Sequence, residues 1–386
     1  MEMKQLSAAD YGEIFALSEF AFQYELSEAA FAAKEAEAKR HVIWGVMNND
    51  QLAAKMHLIP LSCYIHGRKF EMGGVSSVAT WPEYRRQGLI KKLLYHGLQQ
   101  MKNDGQIVSF LHPFSVPFYR KYGWELVFTE KQYTIPAEKM KGSWDASGYV
   151  RRTRRDIPLL DQIYTAYAKR YSGMLVRDEK WWEQRVLKDK PYIAVAYNEE
   201  NQPEGYVMYE VKENTFTVKD MAYASANGWK LLLRFIANHD SMVEQVEMIV
   251  PANDNLPLLV DEPRFEQKIV PYFMARIVDV FAFLKQYPFQ GERTRAVTIH
   301  VEDDFFPENS GVYQISKHGE VTSVPSGSVK SENGIHCTIQ SLTMMMLGYK
   351  RPMELYQAEL LTGELEQIEQ LEGLIPGQQT FFADFF

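Results

Sequence analysis

The reading turns on GGVSSVATWPEYRRQGLIKKLLYHGL, Gly73–Leu98, and on IVSFLHPFSVPFYRKYG, Ile107–Gly123, which follows after a polar spacer. Val75, Val78 and Thr80 are β-branched and suit a pleated strand. Gly73 and Gly74 just before them mark a bulge or a close backbone approach. Pro82 ends that strand. Beyond the turn Glu83–Gly88, Ile90, Leu94, Gly97 and Met101 recur at helical spacing, with Leu93 and Leu98 beside them. A helix is therefore expected from near Gly88.

A helix start exposes unpaired N–H groups and a partial positive charge. Gly88 has no Cβ to hold a phosphate away from that backbone. Arg85 and Arg86 add fixed charge and forked donors that match phosphate oxygens. Alone, Arg-x-x-Gly reads as a solvated turn with two surface arginines, since so short a pattern is common by chance. The strand before it and the amphipathic helix after it favour an anion site.

In the second stretch, Ile107–Leu111 reads as a short buried strand, and Pro113 and Pro117 bracket a turn. Phe118–Gly123 then reads as one or two helical turns with Gly123 as C-cap. The chain has 22 tyrosines, most of them expected in cores and interfaces. Tyr119 differs in lying close to a proline-flanked loop after a strand, where site residues gather.

The 386 residues suit two or three domains. Hydrophobic residues make up 46% and charged residues 24%, ordinary for a globular protein. No apolar run is long enough to span a bilayer. The start, MEMKQLSAADYGEIF, lacks the basic and apolar regions of a secretory signal. Cys63 and Cys337 are the two cysteines, which argues against a disulfide scaffold and for a reducing cytoplasm. The net charge of −8 disfavours nucleic acid as partner and mildly favours cationic substrates through steering. No His/Cys cluster has metal-ligand spacing.

Residues 1–140 are expected as one unit. Helices at Asp10–Gln23 and from Ser27 to about Lys39 precede strands His41–Met47, Leu52–Ile59, Ser62–His66 and Lys69–Thr80, then the two stretches above, and Trp124–Ile135 as a closing strand. That order makes an α/β mixed sheet with helices on both faces. Residues 141–285 repeat the order, with Ser225-Ala226-Asn227-Gly228 where the arginine turn should stand. This second unit is read as degenerate, against the alternative of an unrelated α/β domain. Residues 286–386 change character: strands at Arg295–Val301, Gly311–Ser316 and Gly334–Thr338, and helices at Gln340–Leu347, Pro352–Leu361 and Glu364–Leu371. Met344-Met345-Met346 reads as core packing, with a lipid groove as the rival.

Four phenylalanines stand in the last six residues, Phe381–Phe386. Each buried aromatic stabilises by about 2 kcal/mol, so this end is expected to dock rather than fray. Docking draws the terminal carboxylate of Phe386 inward. A carboxylate there needs donors or a cation, and desolvation makes an α-carboxyl a better base.

VATWPEYRRQGLIKKLL followed by FYRKYGWE resembles the two signature motifs of the GCN5-related N-acetyltransferases (GNAT). Arg85-x-x-Gly88-x-Ile90 departs from the family's Arg/Gln-x-x-Gly-x-Gly/Ala at its last residue. That departure, three domains and an aromatic chain end resemble the Eis-like (enhanced intracellular survival) acetyltransferases. The resemblance implies tandem acetyltransferase-like domains followed by a sterol-carrier-protein-like domain. It implies acetyl-coenzyme A as co-substrate, with its pyrophosphate on Arg85, Arg86, Gln87, Gly88, Leu89 and Ile90. The pantetheine arm would lie along Val78, Thr80, Phe114 and Ser115. Tyr119 would be the general acid and the Phe386 carboxylate the general base. His112, next to Pro113, reads as a structural histidine, with an alternative base as the rival. The implied acceptor is a primary amine of an aminoglycoside, a polyamine-like molecule or lysine. Glu19, Glu25 and Asp384 are candidate acidic contacts in this sequence, each read first as an ordinary surface carboxylate. A homo-oligomer, often a hexamer, is also implied. The rival functions are a non-catalytic lipid-binding or scaffold protein, and an acyltransferase using another acyl donor.

Overall fold

The computed structural model describes residues 1–142, 144–291, 295–324 and 334–386. Three sheets organise them. The first runs Glu2–Leu6, Val42–Asn48, Gln51–Ile65, Arg68–Thr80, Val108–Leu111, Met274–Ile277 and Glu125–Leu126 in spatial order. Helix Tyr11–Phe22 packs on Ile43, Leu52 and Ala79. Helix Leu89–Asn103 buries Leu93, Leu94, Leu98 and Met101 against Met56, Leu58 and Val75 on the other face. The helical periodicity in the sequence is thus the buried stripe. Ser27 caps helix Glu28–Ala38, its side chain accepting from the Ala30 N–H. Leu52–Ile59 and Ser62–His66, read as separate strands, are one strand, Gln51–Ile65, because Pro60 and Leu61 continue the pairing opposite Gly73 and Met72.

The second sheet runs Glu266–Pro271, Thr129–Pro136, Gln245–Val250, Thr215–Tyr223, Pro203–Lys212, Tyr192–Tyr197 and Tyr149–Arg152. It exchanges strands with the first across the boundary expected at residue 140. Trp124–Ile135 is not one strand. Glu125–Leu126 closes the first sheet, and Thr129–Pro136 enters the second. Glu266–Pro271 stays in the second sheet, and Met274–Ile277 inserts in the first beside Val108–Leu111. The two segments cross at Val127-Phe128 and Tyr272-Phe273, where the Phe128 N–H donates to the Phe273 carbonyl at 3.2 Å and the Tyr272 N–H to the Phe128 carbonyl at 2.9 Å. Val127, Phe128 and Phe273 are fully buried there. The alternation of residues 124–135 breaks at the crossing, where Leu126-Val127-Phe128 are consecutive apolar residues and the apolar phase shifts to Tyr133 and Ile135.

The third sheet runs Val321–Val324, Gly311–Ile315, Val297–Glu302, Ile335–Thr338 and Leu361–Gly363, with helices Ile339–Leu347, Pro352–Gln357 and Leu365–Leu374. The helix expected to reach Leu361 stops at Gln357, and Leu361 begins a strand on Cys337. Met344, Met345 and Met346 are buried in a core that also holds Phe110 and Phe128 of the first unit and Phe273 of the second, so they pack rather than line a groove. Cys63 and Cys337 are free and buried, and burial pushes the Cys337 thiol up to about 12.

Candidate active site

The site is built where two strands of the first sheet part. Arg68–Thr80 runs parallel to Val108–Leu111 only through Met72↔Val108, Gly73↔Ser109 and Gly74↔Phe110. Beyond Gly74, Val75–Thr80 has no strand on that side among the described residues. A β-bulge re-aims this free stretch. The register passes from Lys55↔Ala79 to His57↔Ser76, and Ser77 adopts φ 50°. Val78 is half-buried against the core under helix Leu89–Asn103. The Thr80 hydroxyl and the Trp124 indole N–H are buried with no partner among the described residues. Buried polar atoms left unpaired in this way mark a place where a ligand would supply the missing partner.

Gly88 caps helix Leu89–Asn103 in the left-handed conformation, φ 75° and ψ 11°, which only glycine adopts without cost. No side chain caps this helix start. A Cβ on Gly88 would meet nothing within 4 Å, so the space above the first N–H groups is open. Arg85, Arg86 and Gln87 are exposed; Gln87 donates to the Glu83 carbonyl at 3.3 Å, and neither arginine has an ion-pair partner among the described residues. Leu89 is buried in the core and leaves only its backbone to the cradle, while Ile90 packs against the same core. These features fit a pyrophosphate.

The corresponding turn of the second sheet is closed. Ser225 accepts from the Gly228 N–H at 2.9 Å. Asn227 donates to the Glu204 carboxylate at 2.7 Å and to the Ser147 carbonyl at 3.0 Å. Its own side chains and an internal carboxylate occupy that helix start.

The chain after Leu111 turns through His112–Ser115 into helix Val116–Arg120. Phe114 is 72% exposed, and its ring lies 5.0 Å from Phe118 and 5.5 Å from Tyr119. Ser115 is the N-cap residue, with its hydroxyl making no cap bond. Tyr119 is 3% exposed and packs with Val75, Leu111 and Trp124. Burial pushes its phenol well above the ordinary tyrosine range, so the hydroxyl keeps its proton. His112 packs between Tyr272, Phe273 and Phe385, and burial holds its imidazole below the usual range.

The chain end docks. Ser172 pairs with Thr380, and the Phe381 N–H donates to the Ser172 carbonyl at 3.0 Å. Phe382 lies 5.8 Å from Phe110 and 4.6 Å from Phe273. Phe386 is 6% exposed, 5.1 Å from Phe273 and 6.4 Å from Trp181. Its ring covers Gly74, the last paired residue before the strands part.

Asp384 is no surface carboxylate. It is 5% exposed and accepts from Arg177 Nε at 3.1 Å and Trp181 Nε1 at 2.7 Å, while its backbone carbonyl accepts from the Tyr272 hydroxyl at 2.9 Å. Arg177 also donates to Asp220 at 2.6 Å and lies over the Tyr164 ring. Asp384 is therefore an anchor for the tail and is not available to a cationic acceptor. Glu19 accepts from the Leu26 N–H at 2.7 Å, and Glu25 is exposed.

The sequence reading missed a buried basic chain beneath the bulge. Lys55 is fully buried and donates to the Ser77 hydroxyl at 2.6 Å and the Ser77 carbonyl at 3.1 Å. His57 Nε2 is 3.4 Å from Lys55 Nζ, and His57 Nδ1 is 3.1 Å from His41 Nδ1. Burial, with the nearby charge of Lys34, pushes Lys55 down to about 7. The signal was there: Lys55 and His57 stand two apart on one face of an otherwise apolar strand.

The pattern of the acetyltransferase (GNAT) domain matches residues 2–127, a second pattern of the same description matches 173–277, and the sterol carrier protein domain matches 280–383. The chain is a tandem GNAT-fold protein with a sterol-carrier-protein-like domain behind it. Within that class it is related to the Eis-type proteins. It is 23% identical over 268 residues to an uncharacterized N-acetyltransferase of Streptomyces griseus, covering 62% of this chain and 64% of that one. It is 25% identical over 210 residues to N-acetyltransferase Eis of Mycobacterium tuberculosis, half of each chain. The matches thus span between half and two thirds of these relatives' length. A probable N-acyltransferase of Enterococcus faecalis superposes with TM-score 0.92 at 28% identity over 100% of this chain and 99% of the other. Eis1 of Mycobacterium abscessus superposes with TM-score 0.85 at 21% identity over 100% of both, a likeness of fold. Among the described residues no helix is long and apolar enough to cross a membrane.

Proposed function

We propose that the protein transfers an acetyl group from acetyl-coenzyme A to a primary amine, on a small molecule or a lysine side chain. The observation that carries this is the Phe386 ring on Gly74, where the two strands part, with Tyr119 on the helix that follows the second strand. Arg85, Arg86, Gln87, Gly88, Leu89 and Ile90 hold the pyrophosphate, and Val78, Thr80, Phe114 and Ser115 hold the arm. Bound acetyl-coenzyme A supplies the acetyl group already activated as a thioester. The Phe386 carboxylate takes a proton from the ammonium form of the acceptor, directly or through water. The Val78 N–H faces the developing oxyanion. The freed amine attacks the thioester carbonyl and forms the C–N bond; as the C–S bond breaks Tyr119 gives its proton to the sulfur, and the proton that the nitrogen then sheds restores the phenol through solvent. Burial keeps the resting Tyr119 hydroxyl protonated. Assembly into a homo-oligomer of the hexameric kind and a cytoplasmic location belong to the same proposal.

The test is thiol release from acetyl-coenzyme A with a panel of primary amines, in the wild type, Tyr119→Phe and a variant lacking Phe386. Both variants should lose most turnover while binding acetyl-coenzyme A nearly as before. Full turnover in both would remove the assigned acid and base. A scaffold that binds no donor would show no thermal shift with acetyl-coenzyme A. A preference for long-chain acyl-coenzyme A would replace the acetyl donor in this reading.

A further inference from the structure

Lys55 and the strand that would carry the donor's arm meet at one peptide group. The ladder between Gln51–Ile65 and Arg68–Thr80 passes from Lys55↔Ala79 to His57↔Ser76, so Ser77 and Val78 stand outside it. Lys55 Nζ donates to the Ser77 carbonyl at 3.1 Å. The described peptide bonds are all trans. A trans peptide points its C=O and its N–H in opposite directions. The peptide between Ser77 and Val78 therefore turns its oxygen toward Lys55. Its other end, the Val78 N–H, points away from Gln51–Ile65, toward the side that no described strand occupies beyond Gly74.

The surroundings of Lys55 suit an ammonium. Its head has three acceptors: the Ser77 hydroxyl at 2.6 Å, the Ser77 carbonyl at 3.1 Å and His57 Nε2 at 3.4 Å. The Ser18 hydroxyl donates to the Ile14 carbonyl at 3.0 Å and lies 3.4 Å from that of Ser77. The Ser77 proton thus goes to Ser18, and a Ser77 lone pair is left for Lys55. His57 Nδ1 is 3.1 Å from His41 Nδ1, and burial keeps both rings neutral. With its proton on Nδ1, His57 turns a bare Nε2 to Lys55. Three acceptors match the three protons of an ammonium, where a neutral amine has two. The groups around this head are Ser18 of helix Tyr11–Phe22 with Tyr24 bonded behind it, Lys34 of helix Glu28–Ala38, His41, His57 and Ser77. None is a carboxylate. Burial and the charge of Lys34 push Lys55 down to about 7. A buried cation without a counterion is costly, and such a group beside a cleft marks a functional one.

We propose that Lys55 is a positioning residue for acetyl transfer: its ammonium holds the peptide between Ser77 and Val78 in the bulge and, by bonding the oxygen of that peptide, strengthens its N–H as a donor to the thioester oxygen. This rests on the reading of Val78 as the group that faces that oxygen. Lys55 touches neither substrate and loses no proton in the reaction. Hydrogen bonds in series polarise one another, and the positive charge behind the peptide also favours the oxyanion as it develops.

The carbonyl stretch of bound acetyl-coenzyme A, isotopically labelled at the thioester carbon, reads the Val78 contact without turnover. In the wild type it should lie below its solution value. In Lys55→Met it should return most of the way. In the wild type alone it should return as pH rises from about 6 to 9, through the titration of Lys55. With a primary amine as acceptor, Lys55→Met should lower kcat about tenfold or more and leave the KM for acetyl-coenzyme A and the melting temperature nearly unmoved. The wild-type kcat should fall above about pH 7, and the variant should lack that limb. The same stretch in both proteins would overturn the proposal. So would a variant that loses melting temperature and coenzyme A binding along with kcat, which would make Lys55 structural only. If Lys55→Met does not fold, the wild-type titration decides alone, and a level frequency across it overturns the proposal. A lowered stretch that Lys55→Met relieves, with no thiol release from any amine, would support the role of Lys55 while removing the transfer reading.

Discussion

A Cβ placed on Gly74 would stand 2.7 Å from Cε2 of Phe386. The glycine at the last strand pair and the last residue of the chain are thus in direct contact, and neither has room to give. The ring is wedged among Phe273, Phe382 and Trp181, so it cannot swing aside as a long flexible side chain would. Gly74→Ala is therefore expected to displace the chain end. Overpacking should cost about 1–3 kcal/mol of stability. Turnover should fall about tenfold or more through misplacement of the terminal carboxylate, with acetyl-coenzyme A binding little changed. Stopped-time thiol release and denaturant melts on the same preparation separate the two effects.

Asp384 fixes the tail through Arg177, and both are buried. Asp384→Asn keeps the shape but removes half of the countercharge of a buried guanidinium. Breaking such pairs typically costs about 3 kcal/mol or more, here lessened because Asp220 remains at 2.6 Å. The variant should melt earlier. Its last residues should become accessible to carboxypeptidase while the cradle still binds acetyl-coenzyme A. A tail as resistant as the wild type's would show that the aromatic contacts alone hold it.

Much of this was legible because local chemistry agrees with the final fold. The apolar stripe of helix Leu89–Asn103, the glycine at its start and the aromatic end all carry their reasons in neighbouring residues. The strand exchange does not. The run Leu126-Val127-Phe128 breaks the alternation of residues 124–135, but nothing local says which sheet each half joins or that Met274–Ile277 takes the place beside Val108–Leu111. Partners far apart in sequence decide both. The fate of Asp384 was hidden for the same reason, since Arg177 lies 207 residues away. Lys55 was more accessible: a lysine in the middle of an apolar strand asks for a partner, and Ser77 at the bulge is that partner.

Arg85 and Arg86 are exposed and unpaired among the described residues, so removing them should leave stability untouched. Replacing both by alanine is expected to weaken acetyl-coenzyme A binding about tenfold or more, charge-assisted hydrogen bonds being the stronger kind. The loss should shrink as salt rises. Ser225→Ala at the matching turn of the second sheet should do the reverse. It should cost about 1 kcal/mol of stability as a lost helix cap and leave donor binding alone. Titration calorimetry and thermal melts on the two variants give the comparison.

Lys55 gives the protein a pH dependence with a definite sign. It faces Ser77, His57 and, beyond that, His41, with Lys34 the nearest further charge, so no carboxylate offsets its burial among these groups. Its folded pKa is lowered to about 7. Between there and the ordinary lysine value the unfolded chain binds a proton that the folded chain does not. Unfolding free energy from this group therefore rises with pH over that window, at up to about 1.4 kcal/mol per pH unit. Below pH 7 both states are protonated and the full cost of the buried charge is present. Lys55→Met keeps the length, removes the charge and should flatten the slope between about pH 7 and 10, leaving the variant at least as stable as the wild type at neutral pH. His41 and His57 act in a lower window with the same sign. Both are held neutral in the fold, so stability should fall as pH drops below about 6.5 and the unfolded chain takes up protons first. Urea melts of the wild type and Lys55→Met from pH 5 to 10 measure both windows. An unchanged slope between pH 7 and 10 in the variant would mean that Lys55 stays charged in the folded protein.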